Sequence, residues 1–566
     1  MYKLYIYLVA IFLINIVNVY AAEEKDWWQT ATIYQIYPKS FKDSDGDGIG
    51  DLKGIIEKLD YIKDLGVSAI WLSPIYKSPQ YDAGYDISDF RDIDPIYGNL
   101  EIFKELVTEA HNRGLKVVLD YVPNHTSDQH EWFQEALKGS ETYKDYFIWA
   151  DGKNGSKNDP PNNWISVFTH SAWEWVEERK QFYLHQFLKQ QPDLDFLNPN
   201  VRQEMKDVLT YWLDTYDVDG VRIDAVPHLV EAKNLTDEPR TYDPNSSEID
   251  YNYLDHIFTR NQPESYDVVY EWRSHIDSIS AKKTSTKVCF SEAAVDIDYV
   301  IPYYGNADGS KLGAHFSFNF VLLGLTPEST AVDVSNLIGA WLDKLPSIYT
   351  SNWVLGNHDN HRIATKAGKE RVDALNILAG FLPGVQVTYN GEEIGMEDGE
   401  VKCEQGVDMA SNCTSYPYLS RDFERTPLQW DSSEFAGFSN GTSTWLPVSV
   451  KKAECNIADQ LKDPKSHLNI YKKLQEVRKG DLADIISVEY STFGDDEMGL
   501  AVVRQNSAKI YALVLNLGSN SLTVKTWETF EVILTSKDSQ RNWGEIISGP
   551  ITLQSYEALL LLQQNV

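Results

Sequence analysis

Gly220-Val221-Arg222-Ile223-Asp224-Ala225 reads as a short apolar β-strand that runs out on an acid. Side chains alternate along a strand, so Arg222 and Asp224 share one face. Two later apolar runs end the same way: Lys287-Val288-Cys289-Phe290-Ser291-Glu292 and Trp353-Val354-Leu355-Gly356-Asn357-His358-Asp359. One strand-end acid among 84 acidic residues says little. Three of them, on separate buried strands, point to a fold whose parallel strands deliver side chains to a common rim.

Working outward, strand candidates fall at 33–37, 69–72, 116–122, 220–226, 288–291, 316–320, 353–355 and 385–389, separated mostly by helical stretches. The helical runs 52–65 and 102–112 stop near Gly66 and Gly114. Strands alternating with helices predict the α/β class, here a parallel (β/α)8 TIM barrel. Two stretches depart from the pattern. Residues 126–197 are polar, aromatic and proline-rich with no matching βα unit, which predicts a small inserted domain after the third strand. From residue 480 the pattern turns to strands without helices, at 499–503, 510–515 and 559–562. That predicts a C-terminal antiparallel β-domain over 480–566, leaving 22–125 and 198–479 for the barrel.

The formal charge is 51 − 84 = −33. Such a surface repels nucleic acid and anionic membranes and favours a neutral ligand. The 16 Trp and 33 Tyr supply aromatic faces, which either stack on sugars or fill the core. An apolar run from Leu4 to Val19 behind Lys3, then Tyr20-Ala21-Ala22 before charged residues, reads as a secretory signal peptide over residues 1–21. As a membrane anchor the run is short and is interrupted by Asn15 and Asn18. The protein is therefore expected to be secreted and extracellular, without a stable anchor.

Export permits disulfides, and Cys403 and Cys413 flank a polar stretch they could close. Cys289 lies inside an apolar strand and is expected to be a buried free thiol, while Cys455 is unassigned. Sequons at Asn154, Asn234, Asn245, Asn412 and Asn440 are candidate glycosylation sites. Asn124 is also a formal sequon, but it ends a strand beside His125 and is expected inside the site and unmodified. Asp43-Ser44-Asp45-Gly46-Asp47-Gly48-Ile49-Gly50-Asp51 resembles the first part of an EF-hand loop. Carboxylates Asp43, Asp45, Asp47 and Asp51 alternate, with a carbonyl from Ile49, which suits a hard cation. The twelfth position is Gly54 rather than Glu, which argues against a regulatory sensor.

The strand ends hold Tyr37, Asp120, Asn124, His125, Arg222, Asp224, Glu292, His358 and Asp359. A retaining glycosidase needs one carboxylate as nucleophile and a second carboxyl as acid, then base. Arg222 is placed to lower the pKa of Asp224, and Glu292 is placed to protonate a leaving oxygen.

At these residues the chain resembles the α-amylase family of glycoside hydrolases. The segments 120–125, 220–224, Glu292 and 357–359 match its four short signature regions in order. The resemblance spans about residues 27–566 and is strongest to secreted insect maltases of the oligo-glucosidase branch. Gln191-Pro192-Asp193-Leu194-Asp195 and Thr426-Pro427-Leu428-Gln429-Trp430-Asp431 are similar to markers of that branch. The resemblance implies Asp224 as nucleophile, Glu292 as acid/base and Asp359 as the third acid, which holds the 2- and 3-hydroxyls. It implies that His125 and His358 bond sugar hydroxyls and that Asp82 and Tyr85 clamp the 4-hydroxyl end and stack on the ring. It also implies that Arg425 pairs with Asp82, closing the pocket for exo-action. Ala225, after the nucleophile, implies α-1,4 linkages.

The expected activity is that of a maltase on neutral α-glucosides (maltose, malto-oligosaccharides, sucrose). The implied cofactor is a structural Ca²⁺ or Mg²⁺ in the 43–51 loop. The alternatives are a transglucosidase with the same residues, or a non-enzymatic receptor or transporter-associated relative. The last would be expected to lack the catalytic acids, which this chain keeps.

Overall fold

A computed structural model describes residues 25–564, apart from Asn412 and Ile486. The signal-peptide reading and the Asn412 sequon lie outside the described residues.

Eight parallel strands form one sheet: β1 (Thr32–Ile36), β2 (Ala69–Leu72), β3 (Lys116–Tyr121), β4 (Gly220–Ile223), β5 (Val288–Ser291), β6 (Phe316–Ser317), β7 (Asn352–Val354) and β8 (Val385–Tyr389). Neighbours pair in chain order from β1 to β6, and β8 pairs with both β7 and β1. The sheet is the TIM barrel read from the sequence. Its strands are buried on both faces, which explains the near-continuous apolar runs. Gly220 opens β4 because a Cβ there would lie 2.6 Å from the Val288 carbonyl oxygen.

Between β6 and β7 the sheet order shows no backbone ladder among the described residues. Side chains bridge that seam. The Asn319 backbone N–H donates to Asn352 Oδ1 at 2.8 Å, and Asn352 Nδ2 donates to the Ser317 carbonyl at 2.7 Å. The strand expected over 316–320 is therefore only two residues long, because Asn319 turns out of the ladder to make this bridge. Likewise the helix expected over 52–65 is two, Leu52–Glu57 and Leu59–Asp64, parted at Lys58.

Between β3 and β4 lies a three-stranded antiparallel sheet of Trp149–Ala150, Gln181–Leu184 and Trp173–Val176, with its own small aromatic core. The chain returns from it antiparallel to the end of β3. Leu194 N–H donates to the Asn124 carbonyl at 3.0 Å, and Thr126 N–H to that of Pro192 at 3.2 Å. This return brings Gln191 beside the barrel rim.

After the last barrel helix, His467–Lys479, a six-stranded antiparallel sheet closes the chain, with Ile510–Asn516 and Ala558–Gln563 at its centre. No described helix is long and apolar enough to cross a membrane.

Candidate catalytic pocket

Asp224 follows the last residue of β4, and its N–H donates to the Tyr121 carbonyl of β3 at 2.9 Å. Glu292 follows β5, its N–H bonded to the Ile223 carbonyl at 2.8 Å. Adjacent strands thus place both acids on the same rim. Ala225 then takes a left-handed conformation, φ 46° and ψ 38°, which turns the chain sharply away from the strand. Its N–H donates to Glu292 Oε2 at 3.0 Å.

Arg222 lies beneath these acids, 2% exposed. Nη1 is 2.6 Å from Asp224 Oδ1 and 2.7 Å from Asp120 Oδ1, and Nη2 is 3.0 Å from Glu292 Oε2. One guanidinium therefore gathers three carboxylates from β3, β4 and β5. Arg222 lowers the pKa of Asp224, as expected, but does not offset the influences that raise it. Burial pushes Asp224 well up; Arg222 pulls it down, but Glu292, Asp120 and Asp359 push it up again. Burial likewise raises Asp120 to about 6 against the pull of Arg222.

Asp359 has its own cations. Its Oδ1 lies 2.7 Å from Arg425 Nη2 and 3.5 Å from Arg421 Nη1, and its Oδ2 lies 3.1 Å from His358 Nε2. Burial opposes its ionisation, but His358, Arg425 and Arg421 together hold it well below the usual carboxylate range. Burial drops His358 to about 3, so the ring is neutral at physiological pH. Gln35 Nε2 donates to its Nδ1 at 2.8 Å, which puts the ring proton on Nε2, facing Asp359 and the Tyr85 hydroxyl 2.6 Å away. Tyr85 stacks on His358 at 5.3 Å and donates to Asp120 Oδ2 at 3.1 Å.

His125, pushed down to about 4 by burial, lies 3.0 Å from Gln191 Nε2. Gln191 also donates to Asp82 Oδ2 at 3.0 Å. The arginine on Asp82 is not the expected one. Arg421 Nη2 lies 2.8 Å from Asp82 Oδ1, whereas Arg425 serves Asp359 and donates from Nε to the His358 carbonyl at 2.6 Å. Both arginines lie in Arg421-Asp422-Phe423-Glu424-Arg425; the resemblance implied Arg425 for Asp82, and the structure turns Arg421 there instead.

Part of this network lines a cavity of about 760 Å³; Asp82, His125, Arg222 and Arg425 are not among its lining residues. Tyr85, Asp224, Glu292, His358, Asp359 and Arg421 form its polar end. Phe168 and Phe187 of the inserted segment, with Val295, Ile297, Phe320 and Val321, make an apolar outer wall that no sequence motif had singled out. Asp120, Gln35 and Gln191 had no assigned role in the sequence reading, although Asp120 and Gln191 sit in quoted motifs.

Away from the pocket, the carboxylates of Asp43, Asp45 and Asp51 converge to within 4.8 Å of one another, an all-oxygen donor set of the kind hard divalent cations take. Asp47, also expected as a ligand, is not in this convergent group; its Oδ1 accepts from the Ile49 N–H at 2.7 Å. Asp51 also caps helix Leu52–Glu57 through the Gly54 N–H. Cys403 and Cys413 form a disulfide, and Cys289 is buried and free. The Asn154, Asn234, Asn245 and Asn440 side chains are exposed, and Asn124 is buried.

Paired carboxylates at the C-terminal rim of a (β/α)8 barrel, facing a pocket, define a glycoside hydrolase. Residues 35–487 match the family described as alpha amylase, catalytic domain. A salivary alpha-glucosidase of Aedes aegypti is 44% identical over 90% of both chains. Maltase A2 of Drosophila melanogaster is 43% identical over 95% of both. The crystal structure of an alpha-glucosyl transfer enzyme, XgtA, superposes with a TM-score of 0.84 at 32% identity, covering 96% of this chain and 100% of that one. The chain belongs to the α-amylase family of glycoside hydrolases.

Proposed function

We propose that this protein is a secreted, exo-acting, retaining α-glucosidase that releases terminal α-1,4-linked glucose from maltose, short malto-oligosaccharides and sucrose. The observation that carries this reading is the single buried guanidinium of Arg222 bridging Asp224 and Glu292 at adjacent strand ends. In the first step Asp224 attacks the anomeric carbon, the glycosidic C–O bond breaks, and Glu292 gives its proton to the leaving oxygen. In the second step Glu292 takes a proton from water, the water oxygen attacks the same carbon, and the bond to Asp224 breaks. The resting pair needs Asp224 ionised, which the 2.6 Å contact from Arg222 favours.

The other residues grip the sugar. Asp359 is held ionised for the 2- and 3-hydroxyls, with His125 and neutral His358 as hydrogen-bonding partners. Tyr85 offers a stacking face. Asp82 and Arg421 take the 4-hydroxyl end, and their ion pair walls the pocket so that one glucose enters. Ala225, small and facing the cavity, supports the α-1,4 preference.

Asp43, Asp45 and Asp51, with the Ile49 carbonyl, would hold a structural Ca²⁺ or Mg²⁺, which screens their mutual repulsion and fixes the loop after β1. The leader at 1–21 and the salivary relative support secretion. The glucosyl-transfer neighbour and the apolar outer wall favour transfer to a second sugar as a competing outcome of the same intermediate.

The test is glucose release from maltose, sucrose and isomaltose by the purified protein and by Asp224→Asn. The wild type is expected to cleave maltose and sucrose faster than isomaltose. The variant is expected to lose about 10³-fold or more in kcat. A wild type inert on all three would overturn the function, and a fully active variant would overturn the site.

A further inference from the structure

We propose that Asp408, on the loop closed by the Cys403–Cys413 disulfide, is a positioning residue that aims Arg421 at the 4-hydroxyl end of the bound glucose. The inference rests on the α-glucosidase reading above, in which Arg421 and Asp82 close the pocket.

Arg421 reaches the cavity, while Asp408 is not among the residues lining it. Asp408 nonetheless holds Arg421 more fully than any sugar-facing group does. Its Oδ1 lies 2.7 Å from Nη2, and its Oδ2 accepts from Nε at 2.9 Å and from the Arg421 backbone N–H at 2.8 Å. This fork grips the edge of the guanidinium and the main chain together. Asp82 touches the same Nη2 at 2.8 Å, and Asp359 lies 3.5 Å from Nη1. Phe168 covers a face of the guanidinium, 5.1 Å from its carbon. With Nε and Nη2 committed to Asp408 and Asp82, Nη1 makes the longer 3.5 Å contact to Asp359.

The Asp408 side chain is 1% exposed. Its burial would raise its pKa, yet hydrogen bonds and charge from Arg421 hold it well below the usual range. Its loop is fixed from both sides. Val407 N–H donates to Asp422 Oδ2 at 2.9 Å, and that oxygen also accepts from the Tyr416 hydroxyl at 3.0 Å. The disulfide joins residues 403 and 413 across this loop. Without Asp408, Arg421 keeps its charge but loses the fork that sets its direction. The loss falls on sugar recognition at the far end of the pocket and leaves Asp224 and Glu292 in place.

The experiment compares wild type, Asp408→Asn and Asp408→Glu on p-nitrophenyl α-glucoside and on the α-galactoside, its C4 epimer. Asp408→Asn is expected to raise KM for the glucoside about tenfold while kcat stays within about threefold. Its preference for glucoside over galactoside is expected to fall about tenfold, and Asp408→Glu to recover part of both. A folded Asp408→Asn with wild-type KM and epimer preference overturns the inference. If that variant does not fold, wild type is measured before and after reduction of the disulfide. A raised KM at unchanged kcat then supports the inference, and an unchanged KM overturns it. A wild type inactive on the α-glucoside instead overturns the functional reading on which the inference rests.

Discussion

Arg222 divides one positive charge among Asp120, Asp224 and Glu292, at 2.7, 2.6 and 3.0 Å. The arrangement is dictated locally, because Arg222 and Asp224 share a strand face and Asp120 pairs with Arg222 across the β3–β4 ladder. That geometry has a consequence for pH. Asp224 must be ionised to attack, and burial with the three surrounding acids pushes its pKa well up despite Arg222. The acid limb of kcat/KM on maltose is therefore expected above about 4, the value of an unperturbed Asp. A pH profile measured from 3.5 to 8 checks this, and activity undiminished down to pH 4 would contradict it. The strand-end acids were legible because alternation and burial fix where they point. The Asp82 partner was not, because Arg421 and Arg425 sit in one irregular segment, where distant partners, Asp408 for Arg421 and Asp359 for Arg425, accompany the direction each takes.

Among the elements, the turn after β1 carries the clearest separate prediction. Asp43 accepts N–H bonds from Asp45, Gly46 and Gly48, so its carboxylate organises the loop even before any cation is considered. Asp45 and Asp51 nevertheless converge on it, and three carboxylates at that spacing repel one another. Chelation with EDTA is expected to lower the Tm by roughly 5 °C, with Ca²⁺ restoring it and kcat/KM on maltose at 25 °C little changed. Identical melting curves with and without chelator, and no ion in the purified protein, would remove the metal. Element boundaries were less legible than element types. Lys58 breaks a helix whose spacing reads as continuous, with neither Gly nor Pro at the break. Phe318, Asn319 and Phe320 look like a strand, yet Asn319 leaves the ladder to bond Asn352. At Asn319 a tertiary contact overrides the local pattern.

At the scale of the whole molecule, residues 85, 224, 292, 359 and 421 meet in one pocket because the parallel barrel brings its strand ends to one rim. The alternation of strands and helices made the barrel readable, and the acids marked the rim. Much of the C-terminal sheet was less readable. Glu489–Phe493 is exposed or half-buried throughout, Thr529–Thr535 alternates half-buried with buried positions, and Ile546–Ser548 has one buried residue between two exposed ones, so they lack the long apolar runs of the two central strands. The inserted segment was legible only as an interruption, although its loops supply Phe168, Phe187 and Gln191 to the site. Everything in the account converges on Asp224 as the atom donor to a covalent glucosyl-enzyme. A 5-fluoro-α-glucosyl fluoride, which forms that intermediate and releases it slowly, tests this most directly when the inactivated protein is digested and its peptides weighed. The added 5-fluoroglucosyl mass is expected on the peptide containing Asp224 and absent from Asp224→Asn. A label on any other residue, or rapid turnover with no labelled peptide and release of the β-anomer of 5-fluoroglucose, would contradict Asp224 as the nucleophile.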